Sequence, residues 1–340
     1  MSKKSKRRAD VKSSILILLL IAILLIASTY AWFTANTKVT VSSLDVYVEA
    51  KNGLQISTDA VNWKSVISND DILKKAYEGN VNAIPNIMEP VSTIGEVDPT
   101  TGFLKMYYGT VTSNEVTGNS EIIASQVTET AGGPDNTNNK FIAFDLFFKV
   151  DADTHLQMTT GSNVVPQADK DDTGLKNAAR VAFLNEGYAA AGSGAEAYTK
   201  LKGAKNLGAG AEDHESTFFW EPNADAHTTP AQESGVSFGI ATNVTPVPYY
   251  GIKSAFTTVK DGTDKVLLSD AMKGTNTDYF AQVTPSYVTN ATMATTQIFS
   301  LKAGVTKVRI YMWIEGQDID CENSASGSYI SYNLQIEVKQ

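Results

Sequence analysis

Beyond residue 38 the chain is a succession of short runs in which apolar and polar residues alternate, separated by turn-forming stretches. Val39-Thr40-Val41 and Leu44-Asp45-Val46-Tyr47-Val48 alternate in opposite phase across Ser42-Ser43, the mark a β-bulge leaves on a strand. Asn52-Gly53 has hairpin-turn chemistry, and Leu54-Gln55-Ile56 resumes the alternation. Residues 140–150 are almost continuously apolar and include Phe141, Phe144 and Phe147; the length and aromatic content predict a buried central strand. Residues 306–315 put Val308, Ile310, Met312 and Ile314 on one face and Arg309, Tyr311 and Trp313 on the other, where a group as large as Trp313 calls for a covering loop. Residues 328–338 align Ile330, Tyr332, Leu334, Ile336 and Val338, and the spacing predicts that these last two strands form a C-terminal antiparallel pair.

Residues 70–77 suggest a short helix with Asp70 and Asp71 in its first turn. Residues 175–184 begin like a helix and end like a strand, and 236–241 read as a short strand. Stretches 118–139, 151–173, 187–227 and 260–276 are rich in turn residues; the Ala/Gly-rich part after 187 predicts a flexible insertion across 187–227. The expected fold is mainly β: an antiparallel β-sandwich, jelly-roll-like, with long loop insertions, forming one extracellular domain over residues 32–340.

The extracellular placement comes from the first 31 residues. Residues 1–14 carry six basic residues and one acid, an apolar run extends from Ile15 to Ala27, and Ser28-Thr29-Tyr30-Ala31 follows. That order is a secretory signal, with cleavage expected between Ala31 and Trp32 by a signal peptidase. As an uncleaved helix, residues 15–33 would rise roughly 28 Å and could serve as a membrane anchor, the chain's one expected contact with a membrane. Both readings hold the basic cluster inside and send the remainder across.

Composition narrows the function. With 28 Lys and Arg against 37 Asp and Glu the net charge is -9, and no nucleic-acid partner is expected. One cysteine forms no internal disulfide and no thiolate zinc site. No GxSxG, HExxH, P-loop or dinucleotide-binding glycine pattern occurs, so the expectation is a non-enzyme without catalytic residues or cofactor. The weak exception is calcium: Glu315, Asp318 and Asp320 follow a strand closely enough to meet at a loop tip. Asp151, Asp153, Asp169, Asp171 and Asp172 read as solvated loop acids, and Glu212-Asp213-His214-Glu215 as surface decoration. Phe218, Phe219, Trp220, Tyr249 and Tyr250 either stack on sugars or plug the ends of the fold.

The junction Ala27–Val48 (ASTYAWFTANTKVTVSSLDVYV) resembles exported Firmicutes proteins with a SipW-type signal peptide, whose characterised members are the TasA and camelysin biofilm-matrix proteins. The run from Trp313 to Asp318, with Cys321 and Asn323, looks like a C-terminal signature of larger clostridial members. The resemblance covers the two ends of the chain, and TYAWFT stands where the matrix proteins have a different junction. It implies a jelly-roll core and a cell-surface or matrix structural role, with self-association or assembly with related subunits through an N-terminal donor strand. Phe33, Val39 and Val41 fall in that segment, whose Thr and Val content favours extension. The alternative is a membrane-anchored adhesin or glycan-binding module.

Overall fold

The computed structural model describes residues 39–40, 47–51, 53–74, 76–113, 120–133, 135–205, 217–256, 266–289, 291–322 and 327–339. The expected signal segment 1–31, the expected cleavage junction Ala31 and Trp32, the apolar run 15–33, Phe33, Val41, Asn52, the run Glu212 to Glu215 and Asn323 lie outside the described residues. Among the described residues no helix is long and apolar enough to cross a membrane.

The chain is mainly β, and among the described residues its sheets are antiparallel except for one ladder. In chain order the strands are β1 (Val39–Thr40), β2 (Tyr47–Lys51), β3 (Gln55–Ser57), β4 (Val66–Ile67), β5 (Ile87–Met88) and β6 (Tyr107–Ser113). There follow β7 (Ser120–Gln126), β8 (Ile142–Val150), β9 (Thr154–Met158), β10 (Asn163–Pro166), β11 (Ala179–Ala190) and β12 (Phe218–Trp220). The last are β13 (Tyr249–Ile252), β14 (Val266–Leu267), β15 (Phe280–Val283), β16 (Gln297–Leu301), β17 (Gly304–Ile314) and β18 (Ile330–Val338). Short helices intervene: α1 (Asn69–Leu73), α2 (Ala195–Lys202), α3 (Thr229–Ser237) and α4 (Leu268–Lys273).

Two sheets dominate. A five-stranded sheet runs β12-β11-β17-β8-β3, and a six-stranded one runs β16-β9-β18-β2-β4 with β10 also paired to β18. Among the described residues the one parallel ladder is β18 on β2, where Leu334 lies opposite Val48. Val308, Ile310, Met312 and Ile314 of β17 share one apolar core with Ile330, Tyr332, Leu334 and Ile336 of β18, as the alternation requires. The other face of the five-stranded sheet is buried too: Phe141, Ala143, Ala182, Leu184, Tyr311 and Trp313 form a second core under Val91, Leu104 and Met106. Every residue of β17 is consequently buried. Trp313 has its expected cover, with Phe219 packed edge-on at 5.8 Å between ring centroids.

Four expectations need correction. Strands β17 and β18 are not a hairpin pair; they lie in different sheets, and β17 pairs instead with β8 and β11. Residues 236–241 are not a strand: Val236 belongs to α3, whose start is set by Thr228 accepting a hydrogen bond from the Ala231 N–H and by Pro230 in the first turn. The stretch 187–227 is no unbroken flexible insertion, because β11 runs on to Ala190, α2 follows, and β12 pairs with Val181–Phe183. The short helix expected over 70–77 forms, with Asp70 and Asp71 in its first turn, but it ends earlier, at Leu73. By contrast, residues 175–184 do begin as a helical turn, Leu175–Ala178, and continue as strand.

Candidate functional site

Strand alternation carries Lys307, Arg309, Tyr311, Trp313 and Glu315 along the second face of the five-stranded sheet. The aromatic middle of this stripe is flanked by a charged cluster at each end.

At one end Arg309 lies directly across from Asp145 in the β17–β8 ladder. Its Nη1 donates to Asp145 Oδ1 at 2.7 Å, its Nη2 to the Val81 carbonyl at 3.0 Å and its Nε to Glu129 Oε2 at 3.2 Å. Tyr311 Oη donates to Glu129 Oε1 at 2.8 Å and accepts the Leu104 N–H at 3.1 Å, which ties the covering segment to the sheet. Tyr77 Oη donates to Asp145 from the other side. Lys307 Nζ reaches Glu186 Oε2 at 2.8 Å and Asp145 Oδ2 at 3.4 Å, and donates to the carbonyls of Lys202 and Ala204 at 3.1 and 2.9 Å. The Arg309 and Lys307 cations hold the Asp145 carboxyl below its ordinary range despite burial. Burial pushes Glu186 up to about 8, reinforced by the neighbouring Asp145 charge. Above this cluster the end of β11 and helix α2 enclose a cleft of about 650 Å³.

The second cluster surrounds Arg180 on β11, whose Nη2 pairs with Asp318 and, at 3.1 Å, with Glu221 Oε1. Its Nη1 donates to the Asn177 and Ala179 carbonyls at 3.2 and 3.1 Å. His227 Nδ1 meets Asp320 Oδ2 at 2.5 Å, and the Thr228 N–H donates to Asp320 Oδ1 at 3.0 Å. Burial pushes Glu221 up to about 8 and Glu315 up to about 7. The hydrogen bond to Asp320 raises His227 above its ordinary value.

Glu315, Asp318 and Asp320, the calcium candidates, are thus brought to one sheet end, but they face protein donors there. Glu315 accepts from Trp313 Nε1 at 3.1 Å and from the Gln317 N–H at 3.1 Å, while Asp318 and Asp320 serve Arg180, His227 and Thr228. Among the described residues no group of three or more His, Cys, Asp or Glu side chains is arranged to hold a metal ion. Trp220 and Tyr249 are buried, while Phe218, Phe219 and Tyr250 are half-buried and pack against the cores, Phe219 on Trp313. Cys321 is a buried free thiol, which burial pushes well above its ordinary value. Val39 pairs with Met88 and Thr40 with Ile87, within the same chain.

The residues that sequence reasoning missed are Glu186, Lys307 and Asp145. Cations at alternate positions of an otherwise apolar strand were the available signal, since Lys307 and Arg309 share a face with Tyr311 and Trp313 and must be paired if that face is covered. No protein family, curated protein or solved structure matches the chain.

Proposed function

We propose that the protein is an exported structural component of the cell surface or extracellular matrix, built on a jelly-roll-like β-sandwich and capable of assembling by exchange of its first strand. The observation that carries the reading is the β1–β5 ladder. Among the described residues it pairs Val39 with Met88 and Thr40 with Ile87, shortly after a segment with the pattern of an export signal. The acceptor Ile87 is 39% exposed, and a ladder on an exposed acceptor opens at lower cost than one in the core. A second chain supplying the same residues would form the same backbone hydrogen bonds. The buried ion clusters suit this role, because they tie covering segments to the sheet in a chain with no disulfide to do so.

The test is N-terminal sequencing of protein recovered from cell surface and medium, followed by electron microscopy of the purified mature chain. A start at Trp32 and filaments that vanish when residues 33–41 are deleted are expected. A chain that keeps residues 1–31 in the membrane fraction and stays monomeric at high concentration would replace this reading with the anchored binding module.

A further inference from the structure

Lys307, Glu186 and Asp145 have the arrangement of a reaction centre. The three residues come from adjacent strands β17, β11 and β8, and are 4%, 0% and 3% exposed. In the β11–β17 ladder Asn185 is opposite Val308 and Gly187 is opposite Lys307, so Glu186 is the extra residue of a β-bulge. Bulges re-aim side chains, and this one sets the Glu186 carboxyl against the Lys307 amine. The contact is 2.8 Å, yet among the described residues neither carboxyl oxygen of Glu186 has a partner in hydrogen-bond geometry. Three N–H bonds on Nζ face four acceptors: two backbone carbonyls, Asp145 and Glu186. The amine therefore touches a carboxyl that it does not satisfy.

We propose that Lys307 and Glu186 condense into an intramolecular amide that covalently joins β17 to β11, with Asp145 as the base. Asp145 accepts a proton from the Lys307 ammonium across the 3.4 Å contact. The freed amine attacks Cδ of the protonated Glu186 carboxyl, the Nζ–Cδ bond forms, and the C–OH bond breaks as a second proton from nitrogen leaves with the hydroxyl as water. Of the two protons that nitrogen loses, one departs in the water and the other is taken by Asp145 and passes on to solvent; no oxidant or co-reactant is involved. Burial favours the step three ways. It keeps Glu186 protonated near neutral pH, it excludes competing water, and it fixes nucleophile and electrophile in contact, an advantage worth effective molarities of about 10⁵ M or more. Arg309 and Tyr77 hold Asp145 in place throughout. The inference does not depend on export or assembly.

Mass spectrometry of the full chain, purified and then denatured, decides it. The expected intact mass is one water below that of the sequence counted from the N-terminus found in the same sample. Digestion should yield one branched species joining the peptides that contain residues 186 and 307. Lys307→Arg keeps the charge and should restore the full mass; Asp145→Asn should slow formation by about 100-fold. A wild-type chain of full mass after prolonged incubation folded at neutral pH overturns the proposal. So does a water deficit that persists in Lys307→Arg or maps to another pair of peptides. The wild-type measurement stands by itself if a variant fails to fold.

Discussion

Arg309 and Asp145 face each other across the β17–β8 ladder and form a wholly buried ion pair, Nη1 to Oδ1 at 2.7 Å. The same guanidinium also serves Glu129 and the Val81 carbonyl, so one side chain joins the sheet to two segments that cover it. Replacing it leaves Glu129 buried without its cation and Asp145 with only the Lys307 cation, at 3.4 Å. Arg309→Ala is expected to cost about 3–5 kcal/mol in a denaturant titration, whereas a surface pair such as Lys200 with Glu196 should cost less than about 1 kcal/mol.

Stability should fall as pH rises from mildly acidic to alkaline. Glu221 and Glu315 have an ordinary value of 4.5 and are raised to about 8 and about 7, so the folded chain retains protons that the unfolded chain has released. With more protons bound in the folded state, stability declines as pH climbs from about 4.5 to about 8 and levels off beyond. His227 acts in the same direction: its contribution is complete below its ordinary 6.5 and is lost as pH passes its raised folded value. Asp145, lowered in the folded chain, matters only as pH falls below its ordinary 3.8. Thermal midpoints are expected to be higher at pH 6 than at pH 9, and Glu221→Gln, which keeps the neutral shape, should reduce the difference. Equal midpoints across that range would contradict the assignment.

Trp313→Ala empties the centre of the second core, where the indole packs with Phe219 and donates to Glu315. A loss of about 3–5 kcal/mol is expected from the cavity. Hydrogen exchange should rise first in the covering segment around Val91, which is bonded to the backbone beside Trp313 through the Ile314 carbonyl.

Gly304 starts β17 at φ +142°, and a Cβ there would lie 2.2 Å from the Ala189 carbonyl oxygen. Gly304→Ala should destabilise by roughly 1–3 kcal/mol or shift the β11–β17 register, visible as a lower midpoint. Gly53, at φ +87° with nothing within 4 Å of its would-be Cβ, is the comparison: Gly53→Ala should cost only about 1–2 kcal/mol.

The sequence by itself determined which residues of β8, β17 and β18 turn to the same side, because side-chain direction alternates with every residue whatever the strand pairs with. It also carried a signal for α3 in Thr228 and Pro230, which the apolar content of 236–241 overrode in the reading as a strand. Pairing was not legible. Alternation is identical whether β17 joins β18 or lies between β8 and β11, and closing long loops costs too little to favour neighbours in sequence. Only the tertiary structure therefore placed Glu186 and Asp145 at Lys307, and Glu221 at Arg180. These contacts arise between strands far apart in the chain, and the burial that shifts their protonation exists only once the covering segments have closed over the sheet.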